Sequence, residues 1–86
     1  MDIKVLDTSH GPIYEQIRKQ IAEMIEAGTL SAGVQLPPPG TLAQQCNVDK
    51  GEVARAYFEL EQQGLVVAKR SKNFLGEAST DYRVKS

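Results

Sequence analysis

Residues 41–60 read TLAQQCNVDKGEVARAYFEL, and this stretch decides the fold. Leu42, Ala43 and Cys46 recur at helical spacing, giving a short helix from Thr41 to Cys46 with one apolar side. Asn47 follows, a residue that tolerates the left-handed backbone in which helices end. Asp49-Lys50-Gly51-Glu52 has the form of a capping box, with Asp49 as cap and Glu52 placed to reach back. Val53, Ala56, Tyr57 and Leu60 then line one side of a second helix that runs to about Gln63, where Gly64 stops it. Two helices joined through Asn47-Val48-Asp49 make a helix-turn-helix.

Upstream, Ile13, Ile17, Ile21, Met24 and Ile25 form the stripe of a longer helix, opened by Pro12 and closed by Gly28. Residues 29–39 read as a loop, since Pro37-Pro38-Pro39 bars helix up to that point. Ahead of the first helix, Ile3 and Val5 alternate around Lys4 as a short strand or extended arm, and residues 7–12 form a turn. Downstream, Leu65-Val66-Val67-Ala68 is a strand, Lys69-Arg70-Ser71-Lys72-Asn73 a polar tip, and Phe74-Leu75 the start of a return strand. The expected fold is mainly α with a small β-hairpin wing, a winged helix-turn-helix over residues 1–76, followed by a tail over 77–86. One core is expected from Ile13, Ile17, Ile21, Leu42, Val53, Leu60 and Leu65. Ile3, Val5, Tyr82 and Val84 are then spare for contacts between copies.

An 86-residue chain with 41% hydrophobic and 24% charged residues has the balance of one globular domain. No apolar run approaches the roughly 20 residues of a membrane span, and no apolar stretch follows the basic residue at the start, so no signal peptide is read. A cytoplasmic protein with no membrane partner is expected. The single cysteine, Cys46, reads as a core residue, and the single histidine, His10, as a loop residue. No phosphate-binding glycine loop, nucleophile elbow or metal-ligand spacing occurs, so the reading is no enzyme, no catalytic residue, no metal and no cofactor.

Several stretches together resemble the amino-terminal domain of GntR-type bacterial transcription regulators. They are Pro12-Ile13-Tyr14-Glu15-Gln16-Ile17, Ile25-Glu26-Ala27-Gly28-Thr29-Leu30 and Gly33-Val34-Gln35-Leu36-Pro37, followed by Leu42-Ala43, Val53-Ala54-Arg55-Ala56 and Glu59 to Val66. The opening Ile3-Lys4-Val5-Leu6-Asp7 is similar to the short YtrA-like branch of that family. The resemblance implies a homodimer that binds double-stranded DNA, with the third helix in the major groove of a palindromic site. The family's second domain, which binds a small-molecule effector, would lie beyond the wing; the chain ends about ten residues after it, so no effector domain is expected.

On this resemblance the DNA-binding candidates are Lys50, Gly51 and Arg55 in the recognition helix and Lys69, Arg70 and Lys72 in the wing. Three departures stand beside them. Leu36-Pro37-Pro38-Pro39-Gly40 replaces the family's Leu-Pro-Ser-x-Arg, Asp49-Lys50-Gly51-Glu52 replaces Ser-Arg-x-Thr, and Ser71-Lys72-Asn73 replaces a Gly-x-Gly tip. Residues 49–61 carry a net −2 and residues 69–72 a net +3, in a chain of net charge −1 and isoelectric point about 5.7. Asp49 and Glu52 facing DNA would repel phosphate; as a capping box they would simply close the helix. The acidic balance and Gly40 favour a second reading, a winged-helix module that has lost DNA binding and pairs with itself or another protein.

Overall fold

Apolar residues spaced three and four apart turn to one side of a helix, and that spacing fixes α1, Ile13–Glu26, with Ile17, Ile21 and Ala22 buried. The computed structural model describes residues 1–86. Gly28, at φ +81°, reverses the chain so that the Leu30 N–H bonds the Met24 carbonyl at 3.1 Å. The arm before α1 is extended and is no strand. Gln20 and Gln16 hold it along the helix: their Oε1 atoms accept from the Lys4 N–H at 2.9 Å and the Leu6 N–H at 2.7 Å.

α2 spans Pro39–Cys46, two residues longer at its start than expected. The first helical position needs no N–H donor, so Pro39 opens the helix and the proline run bars it only through Pro38. Asn47 ends α2 at φ 56°, ψ 48°, the left-handed conformation its sequence position implied. α3 spans Lys50–Gln62 and buries Val53, Ala56, Tyr57 and Leu60 completely. The Tyr57 hydroxyl donates to the Pro37 carbonyl at 2.7 Å, tying α3 to the chain entering α2. Burial raises the Tyr57 pKa well above its ordinary value.

The wing is a two-stranded antiparallel hairpin, β1 Val66–Lys72 and β2 Ala78–Val84, in a register running from Val66↔Val84 to Lys72↔Ala78. Three expectations are corrected here. Lys69, Arg70 and Lys72 lie within β1 and not at a tip. Phe74-Leu75 does not start the return strand; it is the turn. The stretch 77–86 is not a tail, because β2 lies within it and Val84 is buried. The physical reason is Asn73, whose Oδ1 accepts from the Leu75 N–H at 2.9 Å and the Glu77 N–H at 3.0 Å. This side-chain turn closes the hairpin around an apolar pair that looks strand-like in isolation.

Residues 33–36 run alongside β2. The Leu36 N–H bonds the Tyr82 carbonyl at 2.8 Å and the Val84 N–H bonds the Val34 carbonyl at 2.8 Å. That pairing fastens the wing to the body and buries Leu36 with Val84. Ile17, Ile21, Leu42, Val53 and Leu60 form the core as expected, joined by Leu36, Tyr57, Val66 and Val84, while Ile13 and Leu65 are half-buried against it. The residues expected to be spare are used: Ile3 and Val5 pack on the core, and Tyr82 meets the Tyr57 ring edge-on at 4.9 Å. No helix is long and apolar enough to cross a membrane.

Candidate nucleic-acid interface

Helical geometry sends the α3 residues opposite its buried stripe outward, namely Gly51, Arg55, Phe58 and Gln62, all exposed. Lys50 and Ala54 turn toward α2 and the wing. There they line an open cleft of about 670 Å³ with Gly40, Thr41, Gln44 and Thr80. Lys50 makes no ion pair. A side chain starting at Gly40 would meet the Lys50 Cδ at 3.8 Å, so the lysine stem covers the position where the resemblance would place an arginine. A cation therefore stands at the α2–α3 junction, supplied from the other helix.

Arg55 is placed differently. Its guanidinium carbon lies 3.9 Å from the centroid of the Tyr14 ring, a cation–π contact that draws it to α1. Lys50 and Arg55 thus diverge around the start of α3 and do not form one patch.

The expected capping box is absent. Asp49 makes no side-chain cap bond, and Glu52 reaches across to α1, its Oε1 accepting from the Tyr14 N–H at 3.0 Å. α1 opens on Pro12 with no side chain to cap its first turn, so its free amides take the nearest carboxylate. Glu52 sits in the first turn of α3 and caps the first turn of α1. Its charge is committed to the protein, which leaves Asp49 as the exposed acid at the front of α3.

In the wing, two-residue alternation divides the basic triplet. Arg70 and Lys72 share a face with Val66 and Ala68, while Lys69 lies on the other face, opposite Asp81. The Arg70 guanidinium donates to Glu61 of α3 at 3.3 and 3.5 Å, and this bond raises its pKa. Asp81 accepts from the Arg83 Nε at 2.8 Å. Lys69 and Lys72 make no ion pair. Lys72 pairs in register with Ala78, which lines the cleft that holds Lys50, so these two lysines flank one surface. Thr41, Gln44, Ser79 and Thr80 join that surface. The first two were legible as polar positions on a short helix; the last two were hidden by the misplaced return strand.

Three helices with a two-stranded wing, the third helix exposed beside the hairpin, define a winged helix-turn-helix protein. The sequence profile of the gntR family of bacterial regulatory proteins matches residues 13–75. The chain belongs to this family, and the match spans its helix-turn-helix and the first strand of its wing. It is 42% identical over 55 residues to the transcriptional regulator Rv1152 of Mycobacterium tuberculosis, covering 64% of this chain and 46% of that one. It is 34% identical over 70 residues to the transcriptional repressor YtrA of Bacillus subtilis, covering 81% of this chain and 54% of the repressor. The chain therefore spans about half the length of these relatives. Among solved structures it superposes on YtrA of Sulfolobus acidocaldarius, a GntR-family transcription factor, with a TM-score of 0.81 and 36% identity, over 98% of this chain and 65% of the other.

Proposed function

We propose that this chain binds duplex DNA as a homodimer in the cytoplasm and regulates transcription by occupying its site, with no catalytic step. Lys50 carries the reading. It is an unpaired cation on the first turn of the exposed third helix, in an open cleft that Thr41, Gln44, Ser79 and Thr80 also line. In this arrangement α3 enters the major groove with Gly51 at its front, where the lack of a side chain lets the backbone come close. Lys50 bonds a guanine edge or a phosphate there. Lys69 and Lys72 contact phosphates along the wing, while Arg70 stays bound to Glu61. Arg55 serves as a second groove cation once it leaves the Tyr14 ring.

Binding as a homodimer would raise the charge brought to one site. One protomer offers Lys50, Lys69 and Lys72 as unpaired cations on these elements, too few for firm binding, and two copies double that number. The test is titration of a labelled mixed-sequence duplex by the unmodified protein and by Lys50→Ala at about 50 mM salt, with stoichiometry from sedimentation. The expected result is two chains per duplex and weaker binding by the variant. Absence of binding by the unmodified protein would leave the protein-pairing module as the better reading.

A further inference from the structure

The wing tip carries the largest apolar exposure of the molecule. Phe74 is 95% exposed and Leu75 68%, against 38–53% for the other large exposed apolar side chains. The tip is also well ordered by its own bonds. The Asn73 N–H donates to the Glu77 carbonyl at 3.0 Å, its Nδ2 donates to the Glu77 Oε1 at 2.9 Å, and the Gly76 N–H donates to the Asn73 carbonyl at 3.0 Å. Gly76, at φ +82°, supplies the turn conformation that a side chain would strain. Phe74 and Leu75 are therefore held out as a fixed knob. The two strands carry that knob roughly 20 Å beyond the buried Val66–Val84 pair.

The knob adjoins the surface proposed to meet DNA, through Lys72 and its register partner Ala78 at the cleft that holds Lys50. Lys72, just before the turn, is free of ion pairs, and the acid of the turn, Glu77, keeps its charge while accepting a hydrogen bond from Asn73. The Arg70 guanidinium reaches Glu61 of α3 at 3.3 Å, so the wing and the recognition helix adjoin on one side of the molecule. We infer that Phe74 and Leu75 form a wedge that enters the minor groove beside the α3 contact, partly unstacks one base step and bends the duplex. This rests on the DNA-binding reading above and adds a shape-dependent form of recognition to it.

Two apolar side chains at a hairpin tip match a groove about 6 Å wide. A second copy of the chain is a poorer occupant. Phenylalanine and leucine together offer about 300 Å², well short of the roughly 800 Å² per partner of a stable interface. Apolar wedges of this kind kink DNA by roughly 20–90°. Pyrimidine–purine steps unstack most readily, so the wedge selects a flexible step such as TpA without a hydrogen bond to any base.

The probe is an end-labelled 30-base-pair A·T-rich duplex with a central TpA step and 2-aminopurine beside it, at about 50 mM salt. The unmodified protein is expected to shorten the end-to-end distance and raise the 2-aminopurine emission. The Phe74→Ser, Leu75→Ser double variant, altered only outside the core, is expected to melt at the same temperature and bind about tenfold more weakly. It should leave the duplex straight and the emission quenched. The inference is overturned if both proteins bind and neither bends the duplex, or if both bend it equally. It also falls if the variant differs only in self-association, which would make the tip a contact between copies. If neither protein binds the duplex, the DNA-binding reading itself fails and the wedge with it.

Discussion

Replacing Glu52 with alanine isolates the contact that joins the two helix starts. In the structure its Oε1 accepts from the half-buried Tyr14 N–H at 3.0 Å, across 38 residues of sequence. A hydrogen bond to a charged group contributes about 1.5–3 kcal/mol. Water reaches part of this site and replaces some of that contribution in the variant. The carboxylate also sits in the first turn of α3, where the helix dipole adds about 0.3–1 kcal/mol. Glu52→Ala should therefore destabilise the domain by about 1–2 kcal/mol, lowering the melting temperature by roughly 5–15 °C for a domain of this size.

Asp49→Ala is the contrasting variant. With no side-chain cap bond to lose, it should cost less than about 0.5 kcal/mol, whereas a capping residue would cost about 1 kcal/mol. Thermal melts of both variants, with hydrogen exchange at the Tyr14 amide, make the measurement. Glu52→Ala should expose that amide to exchange and Asp49→Ala should not. An equal or greater loss for Asp49→Ala, with Tyr14 still protected in Glu52→Ala, would refute the cross-helix cap and restore the local one.

Further outcomes follow from the same contacts. Ile21→Ala or Leu60→Ala, each at a fully buried position, should cost about 2–5 kcal/mol in urea denaturation; a loss below about 1 kcal/mol at both would contradict the core. Tyr57→Phe leaves the Pro37 carbonyl without its donor and should cost about 1–2 kcal/mol in the same assay, with no change in secondary structure. Arg18, whose Nε donates to Glu15 at 2.9 Å, holds the Glu15 carboxyl below its usual range. The folded value is thus the lower one, so this contribution is present above the unfolded value of about 4.3 and is lost as pH falls through the folded value. Because Glu15 is partly exposed, Glu15→Gln should lower stability by no more than about 1 kcal/mol at pH 6, and the difference should vanish well below pH 4.

Which features were legible in the sequence depends on how local their causes are. The three helices were readable because a stripe such as Ile13, Ile17, Ile21 reports burial whatever the helix packs against. Asn47 was readable because its turn is set by its own backbone. Glu52 was misread because a carboxylate three residues after a cap position has a local partner on paper, while its actual donor belongs to Tyr14 on another helix. The wing charges read as one cluster because Lys69, Arg70 and Lys72 are neighbours in sequence. Strand alternation separates them, and Glu61, nine residues away, takes Arg70. The return strand was misplaced because Phe74-Leu75 has strand-like composition, whereas the turn is dictated by the side chain of Asn73. The helix position of Arg55 shows that it faces outward, and nothing local in the sequence shows its contact with the Tyr14 ring on α1.

The claim that few free cations hold this domain on DNA is tested most directly by the salt dependence of binding to a mixed-sequence duplex. With Lys50, Lys69 and Lys72 unpaired in each of two protomers, about six phosphates are neutralised, and the logarithm of affinity should fall against the logarithm of salt with a slope of roughly −5. Glu61→Gln, which releases Arg70, should steepen that slope by about 2 for the dimer. A slope near zero, or no binding of the duplex at about 50 mM salt, would contradict the account.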